Sequence, residues 1–236
     1  MIYDQLADFY DALVKDDIAT NEWIHLVKKN IKGKHILELA CGSGETAIGL
    51  AQEGYQIDAS DSSEQMLKKA KEKQGSQAVH WFLMNMCTFD IHKDYDGVLC
   101  LCDSMNYLLK EEQLFQVFSN VYNCLKSDGV FIMDMHSMDR LEEFQQEYIE
   151  EGIVEGYEYE WCIYSIDDYI YQNFAFYDEF AKPRIEQHVQ KVYSPTKVEQ
   201  MLRQIGFHVQ IFTDFVLEGI HPGEKYFYIC RKEVEL

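Results

Sequence analysis

Basic residues are scarce in this chain. Only 21 of its 236 residues are Lys or Arg, against 41 Asp and Glu, which leaves a formal charge of −20. A field of that sign repels phosphate backbones, whereas nucleic-acid binding draws much of its affinity from Lys and Arg neutralising phosphates. DNA and RNA are not expected partners. No apolar run approaches the roughly 20 residues needed to span a bilayer, and the opening MIYDQLADFYDALVKDD has no basic region followed by an apolar stretch. Neither a membrane span nor secretion is expected. The seven cysteines (Cys41, Cys87, Cys100, Cys102, Cys124, Cys162 and Cys230) are odd in number and include no C-x-x-C pair, so a disulfide framework is excluded and a reducing cytoplasm fits. No His, Cys and acidic residues show metal-ligand spacing, so no metal is expected. With three Pro and no low-complexity linker, one main domain is expected, and 47% apolar residues can supply its core.

What is present alternates between strand and helix patterns. Two short helical stretches, around Tyr3 to Val14 and Asn21 to Asn30, precede the apolar run HILELA, the turn CGSG and the helical ETAIGLAQEG. YQIDAS follows as a second strand ending at Asp61, then a Ser-capped helix stopped by Gly75. AVHWFLM and YDGVLCLC read as strands three and four, 111–126 as a helix, and VFIMDM as strand five. Such alternation implies a parallel sheet covered on both faces. After His136 a helical stretch to about Gln146 gives way to aromatics at every second position. Tyr157, Tyr159, Trp161 and Ile163 share one face, a turn at Ile166-Asp167-Asp168 leads back from Tyr169, and RIEQHVQKVY makes a third strand. Ser194-Pro195 opens a helix closed by Gly206, and FHVQIFT with KYFYICR supplies two last strands.

The string ILELACGSGETA carries the chemistry. Glycines at 42 and 44 let the backbone turn sharply and approach a ligand, and the next helix presents unpaired N–H groups. Asp61 ends the second strand, where a carboxylate can accept from both hydroxyls of a ribose. The pattern Gly42, Gly44, Ala47 also suits the pyrophosphate of a nicotinamide dinucleotide, which an NAD(P)-dependent oxidoreductase would use. Glu38 argues against that, because an acid inside the first strand suits a cationic guest. Here the sequence resembles the class I S-adenosylmethionine-dependent methyltransferases over about residues 34 to 135: E-L-A-C-G-S-G looks like their first motif, D-S-S-E-Q-M-L their second, and Asn85-Met86 stands at their adenine position. Tyr3, Ala7, Tyr10 and Asp11 look like the lid helix of glycine and sarcosine methyltransferases.

The resemblance implies a Rossmann-like, doubly wound, seven-stranded, mostly parallel α/β sheet with an antiparallel β insertion after strand five. Residues 1–136 and 194–236 would form the cofactor-binding core with its lid helices, and 137–193 the insertion as substrate lid or interface. It also implies S-adenosylmethionine as cofactor, held by Tyr10, Glu38, Ala40, Gly42, Gly44, Asp61, Ser62, Met66, Asn85, Met86 and Cys102, with Asp103 and Tyr107 facing the substrate; His188, out of phase with Val189 in its strand, could face the same cleft as a further substrate residue. No N-P-P-Y or D-P-P-Y follows strand four, so the tetrapeptide of nucleic-acid base methylation is missing.

Transfer from a sulfonium needs alignment and desolvation more than acid or base help. His136, just past strand five, is placed to touch a substrate or take its proton. Residues 141 to 181 hold twelve carboxylates and no Lys or Arg. Interleaved with aromatics, these could line a pocket for a small amine, by Coulomb attraction and cation–π contact. Alternatively the aromatics pack on the core or on a second copy in a homodimer, with the carboxylates keeping the outer face soluble. Because the chemistry needs no diagnostic side chain, a non-catalytic sensor or scaffold binding the same cofactor is a further alternative.

Overall fold

The computed structural model describes residues 6–89, 91, 94–180 and 182–233. Tyr3 of the expected lid helix lies outside them. A 3-10 turn at Leu6–Asp8 precedes α1 (Tyr10–Val14) and α2 (Asp17–Asn30), so the single first helix of the sequence reading is two short pieces. The second helix starts four residues earlier than expected, because the Asp16 carboxylate accepts from the Ile18 and Ala19 amides and caps it there. Then follow β1 (His35–Leu39), α3 (Glu45–Gln52), β2 (Gln56–Asp61), α4 (Glu64–Glu72), β3 (Val79–Leu83), β4 (Tyr95–Cys100), α5 (Glu111–Cys124) and β5 (Leu125–His136). The insertion holds α6 (Asp139–Glu143), β6 (Tyr148–Val154), β7 (Tyr157–Ile166), β8 (Tyr169–Tyr177) and β9 (Pro183–Lys191). The chain closes with α7 (Pro195–Ile205), β10 (Phe207–Thr213), β11 (Leu217–Glu218) and β12 (Lys225–Lys232).

The main sheet runs β11-β10-β12-β5-β4-β1-β2-β3, with β3, β2, β1, β4 and β5 mutually parallel, β12 antiparallel to β5, and β10 antiparallel to β12 and so running with the parallel set. It has eight strands, not the seven expected. The extra one, β11, is two residues that fold back on β10 through Asp214 and Phe215, both at positive φ. A two-residue strand has no period to read. One core packs α5 and α7 against one face of the sheet through Leu114, Phe118, Val198 and Leu202, and the other packs α2 and α3 on the opposite face through Trp23, Val27, Ala47 and Leu50. This is the doubly wound α/β arrangement. Strand order reverses between β1 and β4, and the crevice outside their carboxyl ends is where ligands of such sheets sit.

The second sheet is antiparallel, in order β6-β7-β8-β9. It has four strands where the sequence reading had three, and the helix before it stops at Glu143. The missed strand β6, YIEEGIV, is an edge whose Ile149 and Ile153 face outward at 53% and 76% exposure, so it shows no apolar-in, polar-out alternation. The face-sharing residues Tyr157, Tyr159 and Trp161 pack on Leu6, Phe9, Phe174 and Phe176, with the Phe9 and Phe176 rings stacked at 4.2 Å. The insertion therefore holds the N-terminal segment.

Candidate active site

β1 delivers the chain into a strained turn. Ala40 (φ 52°), Gly42 (φ 54°) and Gly44 (φ 79°) all lie in the left-handed region, which costs an L residue free energy and Gly almost none. The two glycines differ in what surrounds them. A Cβ on Gly44 would lie 2.4 Å from the Trp81 ring, whereas one on Gly42 would meet nothing within 4 Å. Gly42 thus opens onto space beside the strand ends. Asp61 ties this turn to the next one: its Oδ2 accepts from the Gly42 amide at 2.9 Å and its Oδ1 from the Ser63 amide at 2.8 Å. Burial raises the Asp61 pKa, and these amides partly offset it. Glu38 is 4% exposed and its Oε2 has no hydrogen-bond partner. Burial, with the Asp61 charge nearby, pushes its carboxyl up to about 8. A buried carboxyl with an unused oxygen, next to a bare glycine, is what a cationic ligand beside the turn would complete.

β4 leads through Leu101 into Cys102 and Asp103, two consecutive residues at positive φ (57° and 58°). That backbone sets Asp103 against the end of β5. The Lys225 ammonium lies 2.7 Å from Asp103 Oδ2 and 3.2 Å from Asp134 Oδ2, and the Asp103 amide also donates to Asp134 Oδ2 at 3.2 Å. The partners lower the Asp103 pKa, chiefly His136 and Lys225 working against burial. Asp134, fully buried, is pushed up to about 7. His136 Nδ1 faces Asp103 Oδ1 at 3.6 Å, and neither atom has a hydrogen-bond partner. His136 Nε2 lies 3.1 Å from Gln190 Oε1. Burial, working against the Asp103 charge, lowers the pKa of the imidazole, which favours the neutral ring that can take up a proton.

The N-terminal segment closes over this region. Asp11 Oδ1 accepts from Ser43 Oγ at 2.6 Å and Asp11 Oδ2 takes the Lys73 ammonium at 2.7 Å. Burial pushes the Tyr10 phenol up, beside Cys102, Tyr107 and Lys225. The Tyr107 hydroxyl lies 2.7 Å from His188 Nδ1. Of the residues singled out from sequence, Tyr10, Glu38, Ala40, Gly42, Asp61, Cys102, Asp103, Tyr107, His136 and His188 thus gather around the ends of β1, β2, β4 and β5. Ser62 is exposed beside Asp61, while Met66 is 1% exposed in the first turn of α4. Asn85 is exposed past β3 and its Oδ1 accepts from the Cys87 amide at 2.8 Å; Met86 is half-buried, its sulfur 4.0 Å from Cys100 Sγ.

The acidic and aromatic residues of the insertion largely separate, except at Glu150, which accepts from the Tyr159 hydroxyl at 2.7 Å and the Tyr148 hydroxyl at 3.0 Å. Glu158 and Glu160 point to solvent from β7, opposite Tyr157, Tyr159 and Trp161. Around Asp103, the neighbours Asp134, Lys225, Gln190 and Asn106 were not singled out from sequence. Asp134 could have been: it is an acid inside the apolar strand VFIMDM, as Glu38 is in HILELA. The signal is ambiguous, since Asp58 in YQIDAS is also buried but accepts from the Tyr95 hydroxyl at 2.7 Å in a parallel strand pair remote from the turn.

A family model described as a methyltransferase domain matches residues 36–129. The chain is 32% identical over 248 aligned positions to a putative methyltransferase of Geobacillus sp. strain WCH70, covering 98% of this chain and all of that one. It is 29% identical to the glycine/sarcosine N-methyltransferase of Aphanothece halophytica, over 83% of this chain and 74% of the relative. Among solved structures, a crystal structure of an S-adenosylmethionine-dependent methyltransferase from Clostridium acetobutylicum superposes with a TM-score of 0.83 at 25% identity, over 98% of this chain and 99% of that one. None of these three relatives is described as an oxidoreductase.

Proposed function

Because the chain belongs to the S-adenosylmethionine-dependent methyltransferases, we propose that it methylates a small molecule at an amine. The observation that carries this is the pair of buried, unpartnered atoms Asp103 Oδ1 and His136 Nδ1 at the mouth of β4 and β5. An anionic oxygen without a donor favours a substrate that brings N–H groups or positive charge. The likeness to a glycine/sarcosine N-methyltransferase supports the same reading.

S-adenosylmethionine supplies an electrophilic methyl group when bound. In this reading Glu38 faces its cationic methionine end, Gly42 lets that end approach, Asp61 accepts from the ribose, and Ser62, Asn85 and Met86 flank the adenosine, with Ala40, Gly44, Met66 and Cys102 shaping the walls. Asp103, Tyr107 and His188 orient the substrate, and neutral His136 takes a proton from its nitrogen. Residues 1–136 and 194–236 serve as the cofactor-binding core and 137–193 as the lid, in a cytoplasmic enzyme. No helix among the described residues is long and apolar enough to cross a membrane.

The test is turnover of purified protein with S-adenosylmethionine over matched panels of amines, carboxylic acids and phenols. Amine preference is expected, and preference for an anion would overturn the reading. In the same preparation, Asp61→Ala is expected to weaken S-adenosylmethionine binding by roughly 1 to 3 kcal/mol, since charged buried hydrogen bonds are lost. An unchanged dissociation constant in the folded variant removes that role. The outward face of the second sheet, with Ile149, Ile153, Ile166 and Ile185 each more than half exposed, suits a second copy of the chain. Light scattering at micromolar concentration would then report a dimer, and a monomer mass would dismiss it.

A further inference from the structure

The polarity of β9 is inverted. Its inward side chains Glu186, His188 and Gln190 are 8%, 1% and 3% exposed, while Ile185 on the outward face is 67% exposed. Burying polar groups at alternate positions is costly unless each finds partners. Here they do. Glu186 Oε2 accepts from the Leu6 amide at 2.9 Å, Glu186 Oε1 lies 2.9 Å from His188 Nε2, and His188 Nδ1 lies 2.7 Å from the Tyr107 hydroxyl.

The direction of these bonds follows from what each group can do. A backbone N–H only donates and a carboxylate only accepts, so His188 Nε2 carries the proton. With one ring proton, held at Nε2, Nδ1 is an acceptor and the Tyr107 hydroxyl donates to it. With its proton so engaged, the Tyr107 oxygen can only accept from any further group. Tyr107 ends the 3-10 turn Ser104–Tyr107 that follows β4, close to Tyr10 and four residues past Asp103.

We propose that Glu186 is a positioning residue: through His188 it fixes Tyr107 as a hydrogen-bond acceptor for the N–H of the substrate. This rests on the amine reading above. A nitrogen whose N–H bonds are held to one side turns its lone pair to the other, which is the alignment that methyl transfer requires. Because the Leu6 amide shares the Glu186 carboxylate, the orientation is also tied to the seating of the N-terminal segment on β9.

The tautomer of His188, read from its ring 15N shifts by NMR in the substrate-free protein, tests the relay separately from the identity of the substrate. Protonation at Nε2 alone is expected. In Glu186→Gln the amide oxygen must face the Leu6 N–H, which turns the NH2 group toward His188 and drives the ring to the Nδ1-protonated form. The same variant is expected to lose between about tenfold and a hundredfold in kcat on the best amine, with KM and cofactor affinity little changed. Should Glu186→Gln fold poorly, Tyr107→Phe gives the same loss in kcat with the His188 ring still protonated at Nε2. A wild-type ring protonated at Nδ1, or a folded Glu186→Gln or Tyr107→Phe with unchanged kcat, overturns the proposal. A relay intact by NMR in a protein inactive on all amines would instead reject the amine reading alone.

Discussion

Glu38→Gln is expected to stabilise the ligand-free protein at pH 8 and, in the same variant, to weaken binding of S-adenosylmethionine. Folded Glu38 keeps its proton up to about pH 8, whereas an unfolded Glu releases it near pH 4.3. Between those values the folded state binds the extra proton, so stability falls as pH rises and the loss is complete above pH 8. One pKa unit corresponds to about 1.4 kcal/mol, and water entry relaxes part of such a penalty. A cost of about 2 to 4 kcal/mol at pH 8 remains, which Gln, having no proton to lose, does not bear. For a chain of this size each kcal/mol moves Tm by about 2 to 4 °C, so the variant should melt roughly 5 to 15 °C higher at pH 8 and near the wild-type value at pH 4.5. Melts across that range check it, and an offset independent of pH would show that the carboxyl is not perturbed. Calorimetry then reads the other half. The ionised carboxylate is the form that suits a cation, so the variant should lose about 1.5 to 3 kcal/mol of cofactor affinity. Equal affinities would mean that Glu38 does not face the cofactor.

The second large effect is the reverse in sign. Lys225 holds Asp103 and Asp134 together, and Lys225→Met leaves two buried carboxylates facing each other without a cation. Breaking a buried pair by removing one partner costs about 3 to 5 kcal/mol. The Lys225 side chain retains 29% exposure, which places the expected loss near the lower bound, about 3 kcal/mol. Without the ammonium, one carboxylate must take up a proton to relieve the repulsion. Its raised pKa makes the deficit grow as pH rises, so the fall in Tm should be larger at pH 8 than at pH 5. A variant melting within a degree or two of wild type at pH 8 would mean that the ion pairs contribute nothing to the fold. Glu38 and Lys225 thus mark opposite uses of buried charge: one oxygen is left unpaired at a cost, and the other cluster is neutralised from a distant strand.

That distance explains what could be read in advance. The turn from β1 into α3, with its two glycines, and Asp61 at the end of β2 were legible because strand, turn and helix are neighbours in the chain and each imposes its own residue types. The aromatic face of β7 was legible for the same reason, since its period of two is local. Lys225 was not, because nothing in KYFYICR states that its first residue meets Asp103 and Asp134. β9 was legible only in part: the alternation of His188 against Val189 pointed to a cleft-facing side chain and His188 lies buried on the inward face, but nothing local marked Glu186 and Gln190 as buried beside it with Ile185 turned outward. There the free energy of hydrogen bonds to Leu6, Tyr107 and His136 outweighs the burial of a few methyl groups, and those partners come from three separate parts of the chain. The chain's own order fixed the elements and the cofactor turn; which buried charges are paired and which are left open was decided only when remote strands came together, because a carboxyl in an apolar strand looks the same until its partner arrives.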